Sequence, residues 1–166
     1  MGCALKFDWL PGKIVVERGT FEDYRQVERF HYVAKRPAVR AGIWRVMYEK
    51  RVVAAGVLSY PTPSSHAREE VLELCGSRYA RPKIRWLNAN LRTISRVIVH
   101  PQFRGVGIAS HLVRVMCAES GVKYVEAMAV MGQVVPFFEK GGMKRYEPAE
   151  GRPVYYLWDR DTNKTT

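Results

Sequence analysis

Between Val97 and Ala109 the chain reads Val-Ile-Val-His-Pro-Gln-Phe-Arg-Gly-Val-Gly-Ile-Ala, a residue order suited to holding a phosphate. A β-branched run stops at Pro101, Gly105 and Gly107 permit a close backbone turn, and Ile108 begins a helical apolar spacing. Such a turn points successive backbone N–H groups at one spot, at the positive end of the helix dipole. Arg104 adds a cation beside it. The same glycines also suit an ordinary strand-to-helix turn that binds nothing.

Groups able to move protons are few. Glu126 lies in the otherwise apolar run Tyr124-Val125-Glu126-Ala127-Met128, where burial would raise its pKa and suit it to act as a base. The alternative is a carboxylate paired with Arg92 or Arg96 on a neighbouring strand. His31 and Tyr32 follow the apolar spacing of a first helix, where His31 could serve as base or acid and Tyr32 as a proton donor. A histidine there equally suits the negative end of the helix dipole. His100 reads as a solvent-facing turn residue, and His66 and His111 carry no signal.

The 166 residues include 27 Lys and Arg against 16 Asp and Glu, a formal charge of +11. A field of one sign draws in polyanions. Its densest part is Arg78-Tyr79-Ala80-Arg81-Pro82-Lys83-Ile84-Arg85-Trp86, where cations can neutralise phosphates and Tyr79 or Trp86 can stack on an exposed base. Lys35-Arg36 adds to it. A solvated loop whose aromatics pack inward is the other reading of that stretch. A hydrophobic content of 47 % excludes a wholly disordered chain. Cys3, Cys75 and Cys117 are too scattered for a disulfide framework and show no metal-ligand spacing. No window approaches the roughly 20 apolar residues of a membrane span. A soluble, cytoplasmic protein with no metal site and no membrane partner is therefore expected.

These groups need a scaffold. Ile14-Val15-Val16 opens a strand ending at Gly19, and Thr20 with Asp23 forms a capping box ahead of a helix of roughly three turns. Ile43–Tyr48 and Val52–Tyr60, around Glu49-Lys50-Arg51, make an antiparallel hairpin. A short helix over Glu69–Leu74, a strand over Thr93–Val99, a helix over Ile108–Glu119 and a strand over Tyr124–Val130 follow. Pro136–Lys140 predicts a short helix, with strands at Met143–Tyr146 and Val154–Trp158. One α/β domain spanning residues 1–166, with a mixed, mostly antiparallel sheet flanked by helices, is expected.

Gln102-Phe103-Arg104-Gly105-Val106-Gly107, directly after a strand, resembles the acyl-CoA loop of the GNAT acetyltransferase superfamily. Pro136-Phe137-Phe138-Glu139-Lys140-Gly141-Gly142-Met143 resembles that superfamily's short helix and its ending, and the element order is similar throughout. The resemblance implies an acyl-CoA-dependent N-acyltransferase using acetyl-CoA or another acyl-CoA. It implies that amides from Arg104 through Gly105, Val106, Gly107 and Ile108 to Ala109 hold the pyrophosphate. Val97 and Val99 would pair with the pantetheine arm and Phe137 and Phe138 would flank it. It also places Glu126 on the strand bordering the acyl site. The catalytic half departs from the pattern. Phe138 stands where many members carry a proton-donating tyrosine, Met131 replaces a frequent asparagine, and Ser95-Arg96 occupy the place of a common general-base glutamate. In finer detail the chain resembles a GNAT branch fused to ATPase domains and, more loosely, phage Mom-type DNA modifiers. The implied partners are acyl-CoA and a nucleic acid, DNA or tRNA, with a homodimer left open. Two alternatives stand beside this: a catalytically degenerate nucleic-acid-binding module, and a small-molecule or protein-amine acetyltransferase.

Overall fold

A computed structural model describes residues 3–6, 12–31, 39–74, 81–129, 136–147 and 152–164. Strand β1 (Cys3–Lys6) precedes β2 (Lys13–Arg18), helix α1 (Phe21–Glu28), β3 (Arg40–Tyr48) and β4 (Arg51–Ser59). Helices α2 (His66–Val71) and α3 (Arg81–Asn90) then lead into β5 (Leu91–Val99). A single 3-10 turn (Pro101–Phe103) joins β5 to α4 (Ile108–Ala118), followed by β6 (Tyr124–Ala129), α5 (Phe137–Lys140), β7 (Lys144–Tyr146) and β8 (Val154–Asp159).

Local chemistry sets several of these boundaries. Thr20 accepts from the Asp23 amide at 3.3 Å and donates its own amide to Asp23 Oδ2 at 2.7 Å, so the capping box satisfies two orphan donors of α1. Helix α1 is eight residues long, shorter than the three turns predicted. Its end tightens into i→i+3 bonds, Phe30 N–H to Val27 and His31 N–H to Glu28, and regular helix stops there. The hairpin turns at Glu49, whose φ of 54° is left-handed. The basic stretch after residue 80 is a helix rather than a loop. Pro82 fits its first turn, and Ile84 and Leu87 stand three residues apart on one face, with Leu87 buried. Strand β1 was not anticipated, because four residues carry too little pattern to be read.

The sheet has eight strands in the order β1-β2-β3-β4-β5-β6-β8-β7. Every pairing is antiparallel except β5 with β6, which gives the expected mixed, mostly antiparallel sheet. Helix α4 covers one face through Leu112, Val113 and Met116, which pack with Val16, Trp44 and Val46. Each such buried side chain contributes about 1.5–3 kcal/mol relative to exposure. Helix α1 covers part of the other face, where Tyr24 and Val27 meet Ile43, Ala55, Val57 and Ile98. No helix among the described residues is long and apolar enough to cross a membrane.

Candidate functional site

The parallel pair β5–β6 comprises three registered positions, Leu91 with Tyr124, Arg92 with Val125 and Thr93 with Glu126. Beyond them β5 continues beside β4 to Val99 and β6 continues beside β8 to Ala129, so the sheet parts into a wedge. A register shift at Val57/Leu58 leaves Ser95 as an extra residue in β5 at the opening, and such bulges bend a strand locally. Ser95 Oγ lies 2.7 Å from Ser59 Oγ and donates to the Val57 carbonyl at 3.2 Å, which fixes the bulge. Past the bulge, His100 gives its N–H to Val53 on the β4 side. Strand alternation then turns the backbone groups of Val97 and Val99 toward the wedge.

At the mouth of the wedge lies the glycine loop. Gly105 and Gly107 adopt φ of 82° and 89°, left-handed values that glycine takes without strain, and a Cβ at either would meet nothing within 4 Å. Gly107 caps α4 without a side-chain hydrogen bond, and no acid occupies the first turn of the helix. The first α4 amide claimed by the backbone is that of His111, which bonds Gly107 at 3.1 Å. The amides ahead of it lie at the positive end of an 11-residue helix. Val106 packs against the core and anchors the loop from below. These features fit a phosphate group.

Two loop residues sit differently from the expectation. The Arg104 guanidinium donates to the Val99 carbonyl at 3.0 Å through Nε and to the Phe30 carbonyl at 3.2 Å. Its N–H bonds Pro101 at 3.3 Å. It therefore ties the loop to β5 and to the end of α1 rather than standing as a spare cation. Gln102 is exposed, and its N–H goes to His100 Nδ1 at 3.3 Å. His100 is no solvent-facing bystander, since its ring meets Phe30 edge-on at 4.6 Å and Phe103 at 6.0 Å.

These contacts bring the end of α1 to the loop, and His31 follows Phe30 directly at that junction. Tyr32, Lys35 and Arg36 lie outside the described residues, as do Arg78, Tyr79 and Met131. On the other side of the wedge, α5 presents Phe137 and Phe138 with ring centroids 4.2 Å apart. Phe138 is buried and rests on Tyr156 at 5.0 Å, so it completes the core at the position where the resemblance implies a proton donor.

Glu126 is wholly buried, but not as a waiting base. Arg68 of α2 clasps it with two bonds, Nε to Oε2 at 2.8 Å and an Nη to Oε1 at 2.6 Å. Thr93 donates to Oε1 at 2.6 Å and Tyr155 to Oε2 at 3.0 Å. Burial alone would push the Arg68 guanidinium down, yet the Glu126 carboxylate outweighs it and holds the cation charged. Burial, and then the Glu126 charge, push the Tyr155 phenol far up, so it acts as a donor. Both carboxylate oxygens are thus occupied, and the cluster ties β5, β6, β8 and α2 together where the sheet divides. The partner is Arg68 and not Arg92 or Arg96. Arg92, in β5, caps the end of the preceding α3, donating to the Asn88 carbonyl at 2.6 Å. An acidic residue in an apolar strand signalled that a buried cation was needed, but nothing in the sequence named Arg68.

The basic stretch divides as well. Arg81, Arg85 and Trp86 are exposed on α3, whereas Lys83 is nearly buried and bonds Glu69 at 2.9 Å, so it is not a free phosphate ligand. Among the described residues no group of three or more His, Cys, Asp or Glu side chains could hold a metal ion.

No protein-family model matches the chain, and no curated protein matches it by sequence. Solved structures do. Aminoglycoside acetyltransferase AAC(6')-Ib in complex with coenzyme A and kanamycin superposes with a TM-score of 0.59 at 13 % identity, covering 92 % of this chain and 98 % of that one. Polyamine N-acetyltransferase of Drosophila melanogaster, which forms N-acetylagmatine, gives 0.53 at 14 %, with 88 % and 99 % covered. An N-acetyltransferase of Staphylococcus aureus Mu50 gives 0.56 at 12 %, with 88 % and 98 % covered. The chain has the fold of the GNAT N-acetyltransferases.

Proposed function

We propose that this chain is an acyl-CoA-dependent N-acyltransferase that uses acetyl-CoA or another acyl-CoA. One observation carries the reading: the parted β5–β6 pair, with the Val97 and Val99 backbone turned into it, opens beside the glycine loop and the uncapped α4 terminus. When bound, an acyl-CoA supplies a thioester carbonyl that an amine can attack. The amides of Gly105 to Ala109 hold its phosphates, Gln102 and Arg104 shape the loop, and Val97 and the Val99 N–H pair with the pantetheine arm, the Val99 carbonyl being held by Arg104. Phe137, partly buried, walls the arm on the far side, and Phe138 backs it from the core. The amine attacks as the neutral base, and its nitrogen sheds a proton as the C–N bond forms and the thioester C–S bond breaks. His31 takes that proton, directly or through water, and Tyr32 returns one to the departing thiolate, a step for which Phe138 has no group. Glu126, bonded to Arg68, Thr93 and Tyr155, fixes the base of the wedge.

The acceptor we favour is an amine on a nucleic acid or on a nucleic-acid-bound molecule. The kanamycin and agmatine classes used by structural neighbours are polycations, which a chain of charge +11 repels, whereas it attracts polyanions. A second reading, a GNAT-fold module that binds but does not transfer, draws on Phe138 sealed in the core and Glu126 locked by Arg68.

Thiol release from acetyl-CoA separates the two when measured with a polyamine, an aminoglycoside, aminoacyl-tRNA and DNA as acceptors. Release with a nucleic-acid acceptor, lost in His31→Ala and in Gly105→Glu, is expected. Release with the small amines alone overturns the acceptor reading, and no release with any acceptor favours the binding module. Mass spectrometry of DNA and tRNA from expressing cells should show a new base mass that the Gly105→Glu variant does not produce.

A further inference from the structure

We propose that the outer face of α3 is a docking surface for single-stranded nucleic acid, with Trp86 as the stacking platform and Arg81 and Arg85 as phosphate ligands. Helix α3 has no Asp or Glu. Its inner side is committed, with Leu87 buried and Lys83 paired to Glu69 of α2. Its outer side, formed by Arg81, Pro82, Arg85, Trp86, Ala89 and Asn90, lines a shallow hollow of about 400 Å³. Arg81 and Arg85 stand one helical turn apart on the same face. Among the described residues neither is engaged in a hydrogen bond or ion pair, unlike Arg45, Arg68, Arg104 and Lys83.

Trp86 is 37 % exposed although its ring is backed by Tyr124, 6.1 Å away. An indole held from behind, open in front and flanked by unengaged guanidinium groups suits one occupant best. A base can cover the open ring while the phosphates beside it meet the arginines. A duplex keeps its base faces stacked and offers the indole nothing, so the occupant is a single strand. A lipid surface needs an apolar stripe, and this face has one exposed aromatic among polar groups.

The position gives the surface a purpose, and that purpose alone rests on the acyltransferase reading. Helix α3 runs directly into β5, and the sheet parts beyond Thr93. Four helical rises and three strand rises separate Trp86 from Thr93, about 16 Å at most along the chain. A strand held on α3 can therefore present a neighbouring nucleotide to the wedge.

The test uses the full chain without acyl-CoA and a fluorescein-labelled 12-nucleotide oligo-dT or oligo-rU, followed by anisotropy across a salt series. Wild-type protein is expected to bind, with affinity falling as salt rises. Trp86→Ala is expected to weaken binding about tenfold and Trp86→Phe to retain most of it. Arg81→Ala with Arg85→Ala is expected to flatten the slope of log K against log salt by about 1.4, two phosphate contacts at ~0.7 each. No binding by the wild type, or unchanged binding by both Trp86→Ala and the double arginine variant, overturns the proposal. So does equal binding to anionic vesicles with the same sensitivity to these variants, which would make the face a lipid surface. Gly105→Glu should bind oligonucleotide like the wild type, so failure of the cofactor reading and failure of this surface are distinguishable.

Discussion

Replacing Glu126 by Gln leaves Arg68 as an uncompensated cation at the base of the wedge, where its side chain is 1 % exposed. The amide oxygen can still accept from Thr93 or Tyr155, so the change isolates the charge. Breaking a buried pair on one side costs about 3–5 kcal/mol, because the remaining ion keeps its desolvation penalty and loses its partner. For a chain of this size each kcal/mol moves the melting midpoint by roughly 2–4 °C, so the variant should melt about 6–20 °C below the wild type. Combining Arg68→Met with Glu126→Gln removes the stranded charge, and the double variant should recover much of the loss. Thermal melts followed by circular dichroism, with urea unfolding of all three proteins, read both effects. A Glu126→Gln variant that melts within 2 °C of the wild type yet loses all transfer activity would refute the reasoning and reinstate Glu126 as the base.

Three further outcomes follow from the same contacts. Burial would raise the Asp23 carboxyl, but bonds from the Thr20 amide and hydroxyl and from Arg45 prevail and hold it below its ordinary value of 3.8. A depressed folded-state pKa contributes stability that is fully present above the unfolded value and is lost as pH falls through the folded one. Melting midpoints should therefore drop below pH 4 more steeply in the wild type than in Asp23→Asn. At Gly56 a Cβ would collide with Met116 Sδ and approach Leu112 to 3.3 Å, so Gly56→Ala should lower stability by about 1–3 kcal/mol in urea unfolding. Burial also pushes the Cys117 thiol well up, so alkylation mapped by peptide mass spectrometry should leave Cys117 unmodified until the chain is denatured.

What could be read from the sequence was local. Thr20 and Asp23 lie three residues apart, the β3–β4 hairpin closes within a short turn, and the strand, glycine turn and helix around Gly105 are contiguous, so each carries its own signature. The contacts that shape the site are distant. Arg68 and Glu126 are 58 residues apart, and Arg104 reaches Phe30 across 74. No spacing rule links such pairs, and a cation beside a glycine loop looks like a phosphate ligand until its carbonyl partners are seen. Helix α3 is hard to read because Arg81 and Arg85 suggest solvent, while the two apolar positions that seat it, Ile84 and Leu87, are interleaved with polar residues. The parting of β5 from β6 follows from pairing on their opposite edges, which no single strand's residues reveal.

Calorimetric titration of the purified chain with coenzyme A or acetyl-CoA, beside Gly105→Glu, tests the proposed site most directly. The wild type should bind one equivalent. The variant should melt within a few degrees of it but bind far more weakly, because a carboxylate then projects from the loop whose amides receive the phosphates. Absence of binding by the wild type, or equal binding by a folded Gly105→Glu, would contradict the assignment of the wedge and its glycine loop as an acyl-CoA site.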